Sequence, residues 1–126
     1  MIAVGVDIVD IERFALVGKR TPRLLWRVFT SVELNYCENK GGSWASLAAR
    51  FAVREAFRKL DGSFTNGLSF QDVSVVNDER GRPTLLLSPT AAVKAQQAGF
   101  KHFSISLSHS REQAIAVIIG EGGSGI

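Results

Sequence analysis

The chain has few of the features that mark secreted, membrane-spanning or disulfide-rich proteins. It has one cysteine, Cys37, among 126 residues, which excludes an intrachain disulfide and a cysteine-rich metal site. No apolar run approaches the roughly 18 residues that a membrane helix needs, and the N-terminal residues lack the basic segment of a signal peptide. With 45% hydrophobic and 21% charged residues, the sequence predicts a cytoplasmic globular domain with no membrane partner.

Acidic residues are absent from one stretch of the chain. Five basic residues and no acidic residue lie from Arg13 to Arg27, although the net charge is only +3. Such a cluster suits an anionic ligand, an acidic protein or a nucleic acid. The alternative is a solvated helix face without a partner. The basic residues are Arg13, Lys19, Arg20, Arg23 and Arg27.

The hydrophobic pattern predicts one domain over residues 1–120 and a loose glycine-rich tail over 121–126, because no repeat and no internal boundary is visible. Gly18 and Pro22 are expected to interrupt the first helical region, and residues 63–67 are expected to form a loop. The predicted strands are Ile2–Val9, Phe70–Val76, Pro83–Leu87, His102–Ser108 and Gln113–Ile119. The predicted helices are Ile11–Val17, Arg23–Phe29, a capping-box helix at Thr30–Cys37, Ser43–Leu60 and Ser88–Gly99.

One carboxylate, Asp7, interrupts the apolar strand Val4–Val9. A buried carboxylate must bind a cation, accept hydrogen bonds or become protonated, because burying it unpaired is costly. Alternatively, Asp7 lies at a sheet edge where it faces water or pairs with Arg13.

A second carboxylate, Glu55, shares a helix face with Trp44, Ala48 and Phe51, since these residues recur at three- or four-residue steps. Lys59 lies four residues after Glu55 on the same predicted helix face. One hypothesis is a surface pair between Glu55 and Lys59, worth about 0.3–0.5 kcal/mol. The other makes Glu55 a metal ligand and Lys59 a phosphate contact, and the residues alone leave both open.

His109 follows a predicted strand in which Ser106 and Ser108 point to one side. A turn histidine satisfied by a neighbour is an equal alternative, and no G-x-S-x-G nucleophile elbow is present. Two carboxylates suit Mg²⁺, which keeps waters and binds substrate phosphates, and nearby Lys and Arg suit a diphosphate. Because the chain has no P-loop or dinucleotide fingerprint, side chains and strand ends would hold a nucleotide.

Three ordered segments resemble the holo-[acyl-carrier-protein] synthase family, the small phosphopantetheinyl transferases. The likeness covers nearly the whole chain, from Ile2 to about Ile119. The segments are Gly5–Phe14 (GVDIVDIERF), Leu47–Lys59 (LAARFAVREAFRK) and Ile105–Ser110 (ISLSHS), with Leu68–Val73 and Gly81–Pro83 between the last two. The chain departs from the family at Ala49, Arg54 and Ser110, where Gly, Lys and Thr are usual, and Arg54 keeps the positive charge of Lys but not its compact ammonium.

The resemblance implies an α+β fold with an antiparallel sheet and packed helices, and a homotrimer with active sites between subunits. It implies transfer of 4′-phosphopantetheine from coenzyme A to a serine of an apo acyl carrier protein, in fatty acid biosynthesis. Asp7 and Glu55 would hold Mg²⁺ (or Mn²⁺) and act in catalysis with Lys59. The expected coenzyme A contacts are Arg50, Lys59, Gly81, Arg82, Pro83, Ser108 and His109.

The sequence leaves alternatives for the proton acceptor and for the remaining metal ligands. The proton acceptor could be a metal-held water, Asp7 or Glu55, and the remaining metal positions are expected to take phosphate and water, with Asp10 or Glu12 as further candidates. If their segment is helical, Arg20, Arg23 and Arg27 share a face that, with Arg13, could dock an acidic carrier helix. The alternatives are a nucleic-acid-binding module, an inactive scaffold of this fold and another Mg²⁺-dependent phosphate enzyme.

Overall fold

The computed structural model describes residues 1–39, 41 and 43–123. The predicted elements form in the predicted order, with some changes at their ends. The strands are β1 (Ile2–Asp10), β2 (Val73–Asn77), β3 (Pro83–Leu87), β4 (Phe100–His109) and β5 (Gln113–Gly122). The helices are α1 (Ile11–Arg20), α2 (Pro22–Val28), α3 (Ser31–Asn39), α4 (Trp44–Arg58) and α5 (Pro89–Gln97).

The described residues form two antiparallel sheets. A three-stranded sheet has the order β1-β5-β4, and β2 pairs with β3 in a separate hairpin. Val6 lies opposite Val117, and Leu107 lies opposite Ala116, so β5 is the central strand. The helices pack against these sheets, which confirms the predicted α+β class with an antiparallel sheet. Among the described residues, no helix has both the length and the apolar character needed to cross a membrane.

Helix α4 lies across the inner face of the three-stranded sheet and sets the position of β1. Small side chains allow a close approach: Ala52 and Ala56 are fully buried. At Gly5 the strand backbone touches the helix so closely that a Cβ atom would overlap the Ala56 carbonyl oxygen. This contact fixes β1 against the helix two residues before Asp7.

A cluster of phenylalanines fills the core beyond the C-terminal end of α4. The Phe57 and Phe64 rings stack at 4.4 Å between centroids, and Phe100 and Phe103 extend the cluster. Residues Gly62–Thr65 form a 3₁₀ helix where a loop was predicted. The reason is that Phe64 is 1% exposed, so the segment is anchored to the core.

Several element ends differ from the predictions. Helix α1 continues through Gly18 to Arg20, because Gly18 packs against the Trp44 ring, where a Cβ atom would come within 2.5 Å. Phe70–Asp72 forms a 3₁₀ helix, so β2 begins only at Val73. Strand β5 extends to Gly122, whose N–H donates to the Met1 carbonyl oxygen. Of the predicted tail, residues 124–126 lie outside the described residues.

Candidate active site

Asp7 and Glu55 line one cavity of about 690 Å³. Asp7 comes from the middle of β1 and Glu55 from the last turns of α4, and both side chains are half-buried. Aromatic side chains, including Phe14, Phe51 and Phe70, form much of the remaining wall. The structure therefore brings the two predicted metal ligands to the same apolar-walled cavity.

Lys59 pairs with Asp7 rather than with Glu55. Its ammonium donates to Asp7 Oδ1 at 3.0 Å and to the Val6 carbonyl oxygen at 2.9 Å. Neither a Glu55–Lys59 nor an Asp7–Arg13 ion pair occurs among the described residues, so both of those predicted pairs were wrong, although β1 does lie at an edge of the three-stranded sheet. The side chain of Lys59 is 54% exposed and that of Asp7 19%, so the pair contributes little to stability.

The carboxylates of this cavity fit Mg²⁺ if substrate and water complete the ion's coordination. Mg²⁺ is commonly bound by one or two carboxylates together with waters and phosphate oxygens. No group of three or more metal-ligating side chains exists among the described residues. Asp10 also lines the cavity, but its Oδ1 accepts the Arg13 N–H as the N-cap of α1. Glu12 is absent from the described lining of this cavity.

Arg50 belongs to a second cluster that includes the β2–β3 turn. It is 3% exposed, and its Nη2 donates to Asn77 Oδ1 at 2.9 Å. The Asn77 amide in turn donates to the Gly81 carbonyl oxygen at 3.0 Å. The guanidinium also lies over the Tyr36 ring, at 4.9 Å from its centroid. Sequence analysis predicted Arg50 and Gly81 but missed Asn77, which ends β2 immediately before the turn.

The turn itself depends on glycine and aspartate. Gly81 has a φ of 81°, a conformation that other residues rarely adopt. Asp78 Oδ1 accepts the N–H groups of Arg80 and Arg82, both at 2.9 Å. The Arg82 side chain is exposed and Pro83 is half-buried. The conformation leaves the Arg82 guanidinium available to a ligand.

Ser108 and His109 end β4, and both are exposed. His109 Nδ1 lies 3.2 Å from the Ser110 carbonyl oxygen. Neither residue, nor Arg50 or the 81–83 turn, belongs to the described lining of the Asp7–Glu55 cavity. Within one chain, the predicted contacts to the nucleotide end of coenzyme A therefore lie outside the described lining of the cavity that holds the predicted metal ligands.

The residue next to Glu55 has a structural partner that sequence analysis missed. Arg54 is 2% exposed and forms two hydrogen bonds to Glu33, which is fully buried. Arg54 Nε also donates to the Phe70 carbonyl oxygen at 2.8 Å. Glu33 further accepts the N–H groups of Val75 and Thr30, both at 3.0 Å. The predicted capping box is present, and its glutamate also holds Arg54.

All four arginines predicted to dock a carrier protein are exposed. The condition for a shared helical face of Arg20, Arg23 and Arg27 is not met, because α1 ends at Arg20 and α2 begins at Pro22, where the sequence predicted an interruption. Thr21, with φ −133° and ψ 74°, breaks the helix between them. Arg23 and Arg27 share α2, whereas Arg13 and Arg20 lie on α1. An exposed Trp26 lies among them, with 67% of its surface accessible.

Comparison with known proteins gives consistent results. The family model of the 4′-phosphopantetheinyl transferase superfamily matches residues 3–119. A holo-[acyl-carrier-protein] synthase from Halothermothrix orenii is 39% identical over 121 residues, which cover 95% of this chain and 97% of that protein. One from Streptomyces griseus is 42% identical over 122 residues, with coverage of 97% and 99%. A solved structure described as "Chronobacterium ammoniagenes ACPS-CoA complex" superimposes with a TM-score of 0.85 at 28% identity, and covers 98% of this chain and 99% of that one.

Proposed function

The chain belongs to the 4′-phosphopantetheinyl transferase superfamily, and from this premise we propose that it is a holo-[acyl-carrier-protein] synthase. It transfers the 4′-phosphopantetheine group of coenzyme A to a serine of an apo acyl carrier protein, in fatty acid biosynthesis, and releases adenosine 3′,5′-bisphosphate. Similarity to named synthases over nearly the full length supports this activity. The structural observation that best supports this activity is that Asp7 and Glu55 line the same cavity and that Lys59 donates a hydrogen bond to Asp7.

The reaction requires charge stabilisation and one proton transfer. The carrier serine hydroxyl attacks the β-phosphorus of coenzyme A, its proton leaves, and the bond to the bisphosphate breaks. Negative charge develops on the leaving oxygen, where preorganised positive groups are most effective. Lys59 is exposed enough to exchange its contact with Asp7 for a phosphate oxygen. Asp7 and Glu55 are the side chains available to accept the serine proton.

We further propose that Asp7 and Glu55 hold Mg²⁺, with Mn²⁺ as a substitute, and that phosphate and water supply the other ligands. Such an ion provides Lewis-acid stabilisation of the phosphoryl oxygens. The presence of two carboxylates in the lining of one cavity supports this assignment. Chelation should stop turnover, and added Mg²⁺ or Mn²⁺ should restore it. Full activity after exhaustive chelation would contradict the metal assignment.

The cluster of Arg50, Asn77 and the Gly81–Pro83 turn is proposed to bind the nucleotide end of coenzyme A, together with Ser108 and His109. Arg50 is buried, and its Nε lacks a hydrogen-bond partner among the described residues, so one donor of this cluster is unsatisfied in the single chain. Arg82 adds an exposed guanidinium. Replacing Arg82 with alanine should raise the KM for coenzyme A and leave that for the carrier unchanged.

We also propose a homotrimer in which the nucleotide cluster of one subunit completes the Asp7–Glu55 cavity of another. The separation of the two sites within one chain supports this arrangement. The outer face of β1 also carries Ile2, Val4, Val6 and Ile8, between 47% and 71% exposed, and such a stripe favours a covering partner. Val6→Glu should give monomers in light scattering, and these monomers should be inactive. Val93→Glu changes an exposed position of α5 and should leave the protein trimeric and active.

The exposed arginines of α1 and α2 are proposed to attract the acidic carrier. Charge reversal at Arg13 and Arg23 should raise the KM for the carrier and leave that for coenzyme A unchanged, because the two substrates use different surfaces. An unchanged carrier KM would contradict this role. Because the proposed substrates are coenzyme A and a carrier protein of fatty acid synthesis, we propose a cytoplasmic location, which fractionation of the source cells would test.

The decisive test uses the purified protein, coenzyme A, Mg²⁺ and a panel of apo carrier proteins. A carrier mass gain of one phosphopantetheine is expected for at least one carrier. Failure with every carrier would contradict the activity and favour the inactive scaffold. Steeply salt-dependent binding to random-sequence DNA, without transfer, would instead favour the nucleic-acid module.

A further inference from the structure

A second concavity of about 330 Å³ lies between the end of α2, the last turns of α4 and the segment that leads to β2. Its accessible apolar lining is the half-buried Leu68 and the 38% exposed Phe70, which lie above the buried Phe57 and Phe64. Its rim carries Arg27 from α2 and Arg58 from the last position of α4. We call this concavity the Arg27–Arg58 groove.

The charged residues that line the Arg27–Arg58 groove are all arginines. Arg54, the third of them, is neutralised by Glu33 inside the protein. Arg27 and Arg58 are exposed, and neither takes part in an ion pair among the described residues. The groove therefore offers an apolar floor between two guanidinium groups without a carboxylate partner, a combination that suits an apolar group flanked by negative charge.

The groove is continuous with the surfaces already assigned to the reaction. Phe70 lines both the groove and the Asp7–Glu55 cavity, so the two concavities share a wall. Arg27 belongs both to the groove rim and to the arginines proposed to attract the carrier. A protein that presents a serine to the Asp7–Glu55 cavity can therefore reach the groove with neighbouring residues.

We propose that the Arg27–Arg58 groove binds the carrier protein, with an apolar carrier side chain against Leu68 and Phe70 and carboxylates on Arg27 and Arg58. This inference rests on the proposed function and extends its docking surface to Arg58, which lies outside the basic stretch of α1 and α2. A small inorganic anion would leave the apolar floor uncovered, whereas an acidic amphipathic segment of a protein matches both parts of the groove.

Arg58→Glu tests the proposal through the KM for the apo carrier. About a tenfold increase is expected, because like charges would face each other in the complex. The KM for coenzyme A and kcat should remain within about twofold of the wild type. Since Arg58 also ends a helix and a glutamate there is unfavourable, Arg58→Gln serves as a second variant with a smaller increase, and Arg58→Lys should restore most of the carrier affinity.

Arg80→Glu is the matched control, because Arg80 is equally exposed but lies on the β2–β3 turn. It carries the same change of charge without entering the groove. A carrier KM for Arg58→Glu within twofold of the Arg80→Glu value would overturn the proposal. A second experiment swaps the charges, with a set of carrier variants that each carry a single Asp→Lys or Glu→Lys change. At least one of these carrier variants should bind tightly to Arg58→Glu. If none does, the contact is not direct and the proposal fails.

A binding measurement separates failure of this inference from failure of the proposed function. Anisotropy of a fluorescently labelled apo carrier, without coenzyme A, reports docking even if no transfer occurs. Weaker binding to Arg58→Glu than to Arg80→Glu supports the groove whatever the turnover, and equal binding overturns it. Binding of oleate to the same variants tests whether the groove instead takes a free acyl chain. If Arg58→Glu weakens oleate binding but leaves carrier binding unchanged, the groove is an acyl site and the proposal is wrong.

Discussion

Arg54 and Lys59 both lie near the C-terminal end of α4, and each pairs with a carboxylate from another element. Arg54 pairs with Glu33 of α3, and the two side chains are 2% and 0% exposed. Lys59 pairs with Asp7 of β1, and these side chains are 54% and 19% exposed. One helix thus carries a buried ion pair and an open one within less than two turns.

The two pairs differ in what their partners can do. Glu33 and Arg54 are enclosed and satisfied by further hydrogen bonds to Thr30, Phe70 and Val75, so neither can leave without stranding a charge. The Asp7–Lys59 pair is partly hydrated, and its separation costs at most about 1 kcal/mol. The buried pair therefore holds the frame, while the open pair leaves Asp7 and Lys59 free to exchange partners with a cation and a phosphate.

The largest expected effect is on the buried pair. Glu33→Ala should lower the free energy of unfolding by about 3–5 kcal/mol, because it leaves the Arg54 guanidinium buried without a counter-charge. Urea denaturation followed by circular dichroism measures the change. Asp7→Ala is the matched control for the open pair and should cost no more than about 1 kcal/mol. Equal losses in the two variants would remove the distinction between the pairs.

A second effect separates Glu55 from its neighbour Arg54. Glu55→Gln keeps the shape of the side chain but removes its charge, so we expect turnover to fall by at least about 100-fold, which is the scale of losing a principal electrostatic group. The free energy of unfolding should stay within about 0.5 kcal/mol of the wild type, as at sites without a buried network. Saturating kinetics and a thermal melt measure both quantities.

Glu12→Gln is the control for Glu55→Gln, because Glu12 is an exposed acid of α1 outside the described lining of the cavity. It should leave turnover within about twofold of the wild type, as expected for a surface substitution away from the site. A strong loss of stability in Glu55→Gln would show that this carboxylate has a structural role and not a catalytic one.

A third effect concerns the competition for Asp7. Lys59→Met removes the ammonium that contacts Asp7 Oδ1 at 3.0 Å. Free enzyme should then bind Mn²⁺ up to about fivefold more tightly, the equivalent of about 1 kcal/mol, even though turnover falls. Electron paramagnetic resonance of Mn²⁺ measures this binding without coenzyme A. Weaker Mn²⁺ binding in Lys59→Met would contradict the competition.

The residues around the open pair were easier to predict from the sequence than the buried pair, although the pairing of Lys59 with Asp7 was not predicted. Asp7 and Glu55 each stood out as an acid among apolar residues, and the ordered motifs connected them. Glu33 was predicted only as a capping residue, because the capping box is local whereas Arg54 lies 21 positions away. One of the two hypotheses for Lys59 paired it with Glu55 from helical spacing, but Lys59 lies at the C-cap of α4, where it reaches β1.

Contacts between distant segments also explain the other differences from the sequence predictions. Gly18 was expected to interrupt a helix, yet it provides the space for Trp44, a requirement that local propensity does not contain. Asn77 was missed because its hydrogen bonds to Arg50 and Gly81 depend on how the β2–β3 hairpin meets α4. Local signals predict which elements form, whereas the pairing of side chains requires the assembled fold.

The smallest effect is expected at Asp72, a half-buried acid whose partners are uncharged. The Ser88 hydroxyl donates to Asp72 Oδ1 at 2.6 Å and the Ser69 N–H donates to Oδ2 at 2.7 Å. The hydrogen bond from Ser88, followed by those from Ser69, holds the pKa of Asp72 below its ordinary value of 3.8. The ionised carboxylate therefore stabilises the fold above that pH, and its contribution is lost as the pH falls through the lowered pKa.

Asp72→Asn should accordingly lower the free energy of unfolding by about 1 kcal/mol at pH 7, the typical value of a capping interaction. The difference from the wild type should shrink as the pH falls from 3.8 through the lowered pKa of Asp72, because the wild-type carboxyl group then becomes neutral as well. Urea denaturation at pH 7 and at the lowest pH where both proteins fold measures it. A difference independent of pH would mean that shape, and not charge, makes Asp72 stabilising, and a loss as large as that of Glu33→Ala would show that burial is not what separates strong acid contacts from weak ones here.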